Sequence, residues 1–463
     1  MRRPIRPMYL AMYLPAPFLL VALGSCCTDP VDQSSYFCLG EMSVQEEQEL
    51  GQAYAPNIDA MYDGVLDDPQ AAAYLGQLIE EMAAHSVRAD DFTWNFTILN
   101  TSAPNAFAVP GGYIYVTRGL LAAMETEGQF ISVMGHELGH VEHRHSQKGL
   151  GGKILGGVLV GLIGTAESTV TGRDEPGLAT TVAGAGTQLF MLRYDRGQEL
   201  QSDKRGVYYA ATMGYDPADA VKTFEYFQRI EEEAGASQLE WFRTHPLNEN
   251  RIADIRSEIR ASHPELVERD PSSFRPRNDG NQRFQQVVAR IRQRQPVYDR
   301  YDEGWKKLTE ALKKEDQVGV RESLSIFESC ADSLPDEALF HTAIGTAHVA
   351  LEEFGAAKSA LNRAIALDDA ALPDRKLYRP HLLLGLVLYE QEQYAEAERE
   401  FGISIGAYPM GIQSIYYQGR CQEEQGRREA AIESYRQVIK IEGNDRGVFT
   451  TRAKERLTEM GVQ

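Results

Sequence analysis

In the C-terminal third of the chain, small and aromatic residues return at fixed offsets. Gly385, Ala397 and Phe401 are followed by Gly419, Ala431 and Tyr435, each 34 residues further on. Gly345, Ala357 and Leu361 keep the same internal spacing, with Ala364 one turn beyond, and Gly345 lies 40 residues ahead of Gly385. The extra length places a small insertion within DDAALPDRKL. A period of this size dictates the fold. Each unit is a helix pair too small to bury its own apolar face, so neighbours must stack into a solenoid. A degenerate first unit is expected near Trp305.

With Pro409 included, these positions resemble the signature of the tetratricopeptide repeat. Residues 298–463 therefore read as an all-α repeat domain whose concave side can receive peptides or partner proteins. Residues 262–297 carry Pro, Asp, Asn and Arg without a period and read as a linker with one amphipathic helix.

The remaining length, out of 463 residues, leaves room for a separate domain at 43–261. Ser43 followed by Glu46 predicts a capping box opening a helix through EEQELGQAY. DPQAAAYLGQLIEEMAAH predicts a second helix over about 68–84. In FTWNFTIL, Phe92, Trp94, Phe96 and Ile98 alternate, which predicts a half-buried strand. NAFAVPGGYIYVTRG predicts two short extended pieces around Pro110-Gly111-Gly112, where proline favours an edge or a turn. Helix resumes near 119 and, through several segments, continues to about 261. Residues 149–166 are glycine-rich and apolar and read either as a buried helix or as a lid. The fold class is α+β, mostly helical with a small sheet, followed by the all-α solenoid.

The chemistry centres on VMGHELGHVEHRH, residues 133–145, which holds four of the ten histidines. His136-Glu137-Leu138-Gly139-His140 is an HExxH motif. On a helix, residues four apart share a face, so both imidazoles can reach one zinc ion with Glu137 beside it as general base. A solvated helix with incidental histidines is the competing reading. Metzincins need glycine at 143 and histidine at 146; His143 and Ser146 exclude that class. A third ligand must come from elsewhere, and a carboxylate on a later helix is the usual alternative. Glu199 in RGQELQSDKRG offers one, with Asp203 one turn on to orient a ligand. His143 lies on the face of His136 but ~10 Å along the axis, too far to share an ion with both. His145 points elsewhere on the helix, and both read as packing or supporting groups.

MRRPIRPMYLAMYLPAPFLLVALGSCC opens the chain with Arg2, Arg3, Arg6, an apolar run and small residues before a cysteine. Leu23-Gly24-Ser25-Cys26 reads as a lipobox. That makes residues 1–25 a signal peptide, Cys26 the lipidated residue and 26–42 a tether. A plain secretory signal and a short anchor are the alternatives, although Pro15 and Pro17 interrupt a run already marginal for ~30 Å of hydrocarbon. All three export the body of the protein. A net charge of −20 without a long basic block argues against nucleic acid as a partner. Cys330 and Cys421 fall in repeat sequence and read as small buried thiols.

NAFAVPGGYIYVTRGLL, MGHELGHVEHRH, RGQELQSDKRG and THPLNENRI together resemble the zinc metallopeptidase family that contains the CAAX prenyl proteases and HtpX, an HExxH gluzincin type. The resemblance implies one zinc ion per chain, held by His136, His140 and Glu199, with Glu137 as the base and Asp203 behind the ligands. Ser202 stands where that pattern usually has alanine. His245, six residues before Arg251, is implied to lie near the metal. There it either donates to the oxyanion or occupies the open metal position at rest. Asn105, Gly112, Tyr113 and Tyr115 are implied to form the substrate-binding edge, where an extended peptide can pair by its backbone; a packed hairpin strand is the plainer reading. Among exported relatives with repeats, the resemblance further implies a lipid-anchored protein of the periplasm and outer membrane. Such a protein would act on unfolded or misfolded polypeptides, including stalled outer-membrane proteins, with the assembly machinery as a partner through the repeats. The rival reading is a chaperone or scaffold with a latent site. Members embedded in the membrane need several long apolar spans, and none follows the signal.

Overall fold

The computed structural model describes residues 25–38, 42–150, 194–234, 245, 250–264, 280–372, 375–442 and 447–462. Residues 1–24 of the expected signal peptide, and residues 151–166 of the glycine-rich segment, lie outside the described residues. The architecture is a mostly helical α+β domain with a small sheet, followed by stacked helix pairs.

Residues 25–38, the last residue of the expected signal peptide and most of the tether expected at 26–42, pair as an antiparallel hairpin of β1 (Ser25–Thr28) and β2 (Ser35–Cys38). Cys26 is the second residue of β1, opposite Phe37. Cys27 is disulfide-bonded and buried. The tip of the hairpin turns on Asp29, whose carboxylate accepts from the Val31 N–H at 2.8 Å.

The capping box of Ser43 and Glu46 opens α1 (Val44–Met61), and Asp68 caps α2 (Pro69–Ala83), which has proline in its first turn where no donor is lost. Three short strands follow: β3 (Asn95–Leu99), β4 (Ala106–Val109) and β5 (Tyr113–Thr117). Their order is β3-β5-β4, with β5 parallel to β3 and antiparallel to β4. The expected alternation starts later than Phe92, because β3 begins at Asn95. The period of two divides the sheet's faces. Ile98, Ala106, Ala108, Ile114 and Val116 join the main core, while Leu99, Phe107, Val109, Tyr113 and Tyr115 meet Tyr54, Ile58 and Tyr62 of α1 and its end.

Beneath the first face runs α4 (Glu127–Glu142), reached from β5 through the single-turn α3 (Arg118–Ala123), and every residue of α4 is buried. A second capping box, Thr126 with Gln129, fixes its start. It leads to α5 (His145–Leu150) and, after the undescribed segment, to α6 (Arg196–Thr212), α7 (Ala218–Ala234) and α8 (Arg251–Ser262). Among described residues, no helix is long and apolar enough to cross a membrane.

The boundary expected at 297 falls inside one helix, α9 (Gly280–Lys313). Its first half sends Phe284, Val288 and Ile291 into the core of the first domain, and its second half sends Tyr298, Tyr301 and Leu308 into the repeat core. Helix pairs then stack: α9 with α10 (Gln317–Ser333), α11 (Ala338–Ala350) with α12 (Phe354–Ala371), α13 (Tyr378–Glu390) with α14 (Tyr394–Ala407), and α15 (Ile412–Glu424) with α16 (Arg428–Glu442), closed by α17 (Val448–Glu459). The repeating glycines mark where each pair crosses. A Cβ on Gly345 would meet Leu361 at 2.6 Å, on Gly385 Phe401 at 2.7 Å, and on Gly419 Tyr435 at 3.0 Å. Gly304 faces Phe327 in the same manner, which makes α9–α10 the degenerate first unit. Cys330 and Cys421 are free and buried.

The solenoid rests on the first domain. Asp59 pairs with Arg375 at 3.1 Å and Asn57 accepts from the Met410 N–H at 3.1 Å. The Arg118 guanidinium lies 3.6 Å from the centroid of the Tyr298 ring.

Candidate metal centre

The site is assembled where α4 and α6 cross, and glycine permits the approach. A Cβ on Gly139 would sit 2.9 Å from the Arg205 Cβ and 3.0 Å from the Ser202 Cα, and one on Gly135 2.9 Å from the Tyr209 Cβ. With that face bare, α6 lies close enough for Glu199 and Asp203, one turn apart, to reach the two histidines of α4.

His136, His140, Glu199 and His245 are all buried, and one potential ligand atom from each lies within 4.8 Å of the others. His136 Nε2 is 3.0 Å from His140 Nε2 and 3.3 Å from His245 Nδ1. Glu199 Oε1 is 2.9 Å from His245 Nδ1 and 3.5 Å from His140 Nε2. Glu137 shares the opening, with Oε1 3.7 Å from His245 Nε2. Glu137 Oε1 and Glu199 Oε2 are buried oxygens without a hydrogen-bond donor. Two imidazoles and a carboxylate with unmatched lone pairs at one point fit a divalent cation such as zinc.

Behind the ligands, hydrogen bonds set the ring tautomers. His136 Nδ1 donates to Asp203 Oδ1 at 2.9 Å, which leaves its Nε2 lone pair facing the centre. Arg251, at the start of α8, grips both Asp203 oxygens at 2.8 Å, and its Nη1 lies 2.7 Å from Glu199 Oε2 without the alignment of a hydrogen bond. Burial pushes the Asp203 carboxyl up, but Arg251 and the His136 bond outweigh it and bring it down to about 2. Glu199 is likewise raised by burial, then held below the usual range by the charges of His245 and Arg251. Burial and the nearby Glu199 carboxylate lift Glu137 well above its ordinary value, the direction that suits a general base. The Ala108 N–H of β4 donates to this carboxylate, which ties the base to the sheet.

Seven expected residues therefore converge: His136, Glu137, His140, Glu199, Asp203, His245 and Arg251. The expected substrate edge does not form as read. Gly112, Tyr113 and Tyr115 lead into or lie on β5, the central strand, because Pro110 starts a turn that leaves β4 outermost. Tyr115 is buried against α1, and Asn105 spends its amide on the Tyr62 hydroxyl at 3.0 Å. The edge next to α4 is β4. Thr117 donates its N–H to the Asn105 carbonyl, so odd-numbered residues bond β5 and Ala106 and Ala108 direct their backbone groups outward.

His143 sits outside the centre, with Nδ1 2.8 Å from Asp29 Oδ2. His145 returns to it, Nδ1 to Nδ1 of His140 at 2.9 Å. Helical extrapolation misses this because α4 ends at Glu142 and Arg144 takes a left-handed φ of 52°. Tyr194 was also not foreseen; its ring stacks on His140 with centroids 3.8 Å apart.

Residues 69–259 match Peptidase family M48, and residues 413–444 match a tetratricopeptide repeat. The chain is similar to the beta-barrel assembly-enhancing protease of Escherichia coli (strain K12), 27% identical over 231 residues, covering 49% of this chain and 46% of the relative. It is 28% identical over 233 residues to the Yersinia pestis protein of the same name, covering 48% and 46%. It is also 27% identical over 190 residues to the mitochondrial metalloendopeptidase OMA1 of Arabidopsis thaliana, covering 41% and 36%. The matched part spans about half the length of the bacterial relatives.

Proposed function

We propose, from a chain whose residues 69–259 are a Peptidase family M48 domain, that the protein is a zinc-dependent endopeptidase of the bacterial cell envelope. The observation that carries the reading is the convergence of His136, His140, Glu199 and His245 within 4.8 Å, with Glu137 on the same opening. Zinc, when bound, supplies a Lewis acid for the scissile carbonyl and acidifies the attacking water. His136, His140 and Glu199 hold the ion. Glu137 accepts the proton from the water and returns it to the leaving amine. An extended peptide pairs along β4 through the outward groups of Ala106 and the Ala108 carbonyl, beside the base that takes the Ala108 N–H. His245 Nδ1 bonds Glu199 at rest, so substrate entry requires the ring to withdraw or to turn its donor to the oxyanion.

The substrate class is unfolded or misfolded polypeptide, including stalled outer-membrane proteins. The names of the bacterial relatives support this class, and the repeats would bind substrates or the assembly machinery. Acylation of Cys26 would hold the chain at the outer membrane from the periplasm. The test measures bound zinc and cleavage of an unfolded protein for wild type, Glu199→Ala and Glu137→Gln. Expected are one zinc per chain in wild type, loss of zinc in Glu199→Ala, and retained zinc with cleavage reduced about 10²–10⁴-fold in Glu137→Gln. Full zinc and activity in Glu199→Ala would overturn the assignment. If Glu137→Gln loses cleavage yet still supports membrane-protein assembly in cells, a scaffold role stands beside the enzyme.

A further inference from the structure

The proposed ligands leave one histidine of the cluster unexplained, and its surroundings are built. His145 is fully buried and is approached from three sides. Its Nδ1 meets His140 Nδ1 at 2.9 Å, its Nε2 meets Gln201 Oε1 at 3.0 Å, and its face stacks on His143, centroids 5.2 Å apart and planes 6° from parallel. The donors and acceptors have one consistent assignment. Gln201 Nε2 donates to Asp32 Oδ2 at 2.6 Å, so its Oε1 accepts from His145. His145 then carries its proton on Nε2 and offers the Nδ1 lone pair to the His140 Nδ1–H. That leaves His140 Nε2 as a lone pair facing the centre, as a metal ligand must have it.

Both outer supports belong to one element, the turn between β1 and β2. Asp32 holds Gln201. Asp29, with no exposed surface, accepts from His143 Nδ1 at 2.8 Å and from Lys148. The turn thus grips the two residues that flank His145, one by an amide and one through a stacked ring. The opposite ligand, His136, is oriented by Asp203 and Arg251 from within the peptidase helices. His140 alone is oriented from the N-terminal hairpin.

We propose that the turn at residues 29–34, between β1 and β2, is a positioning element of the metal centre. It acts through Asp32–Gln201–His145 and Asp29–His143 to fix the tautomer and angle of His140. This rests on the reading of His140 as a metal ligand. The segment next to the proposed lipid anchor is then wired to the centre, and loosening it loosens the metal without touching a ligand.

The experiment measures chelator-driven metal release from the zinc-loaded full chain, and the visible absorption of the cobalt-substituted protein. His145→Phe keeps a flat ring but removes the acceptor, His145→Asn restores an acceptor near the Nδ1 position, and Gln201→Leu and Asp29→Asn cut the two supports. Expected are about 10–100-fold faster release and altered cobalt bands in His145→Phe, substantial recovery in His145→Asn, and intermediate release in Gln201→Leu and Asp29→Asn. Melting temperatures of the metal-free variants, measured alongside, separate release that follows lost folding from release that follows a loosened His140. Release rates within twofold of wild type and an unchanged cobalt spectrum across the four variants would overturn the inference. Failure of wild type itself to bind metal would overturn the proposed function instead.

Discussion

Asp203 and Arg251 join α6 to the first residue of α8 by two hydrogen bonds of 2.8 Å, and the Asp203 Oδ1 that meets Arg251 Nη2 also accepts from His136 Nδ1–H. The pair is buried, so removing Arg251 leaves the Asp203 carboxylate without its cation. Asp203→Asn should lower zinc affinity about 10–100-fold, read by titration against a competing chelator. An affinity within twofold of wild type would separate Asp203 from the centre.

Gly139 gives a second prediction. In Gly139→Ala the new methyl meets the Ser202 backbone at 3.0 Å as well as the Arg205 side chain, so α6 must shift. Overpacking at this crossing should destabilise the chain by about 1–3 kcal/mol and reduce its zinc content. Gly402→Ala, with its nearest atom 3.7 Å away at a side-chain tip, should leave both unaffected or raise stability slightly. Equal melting temperatures for the two variants would refute the contrast.

The link between α1 and the end of α4 is a buried ion pair. Arg88 places Nη1 and Nη2 3.0 Å from the two Glu47 oxygens, donates to the Val141 carbonyl at 3.1 Å and lies over the Phe92 ring. Glu47→Ala leaves that guanidinium buried beside Arg144 with Asp91, 2.6 Å from Arg88 Nε, as its remaining carboxylate, and should cost about 1–3 kcal/mol, measured by chemical denaturation. A loss below about 1 kcal/mol, the value of an exposed pair, would show that water reaches the site.

Stability near the domain junction should depend on pH. Burial raises the Asp368 carboxyl from 3.8 to about 6, although the Leu377 N–H bond pulls the other way. A raised carboxyl contributes stability that is complete below about 4 and lost as pH rises through about 6. Asp368→Asn removes that loss. Relative to wild type it should gain about 1–3 kcal/mol at pH 7.5 and nothing at pH 4. An equal effect at both values would exclude the carboxyl's ionisation as the cause.

What could be read from the residues follows the range of the forces involved. The capping box at Ser43, the pairing of His136 with His140, the one-turn spacing of Glu199 and Asp203, and the glycine period of the solenoid all express helical geometry within a few residues or a fixed repeat. The order of β3, β5 and β4 depends on which strands meet, and no period within GGYIYV distinguishes a centre from an edge. His145 was misplaced because a helical wheel does not contain the left-handed turn at Arg144. The roles of Asp29, Asp32 and Gln201 arise from contacts between residues 56 to 169 positions apart, for which the sequence carries no local signal.

Helix α9 has a consequence for how the chain comes apart. It is a shared beam, with Phe284 and Ile291 anchored at one end and Tyr301 and Leu308 at the other. A cut at 297 would strip apolar surface from both halves at once. Melting should therefore appear as one cooperative event. A pull on the repeats would be felt as torque on the helix that lies against α4, so a cargo loaded at one end is mechanically registered at the other.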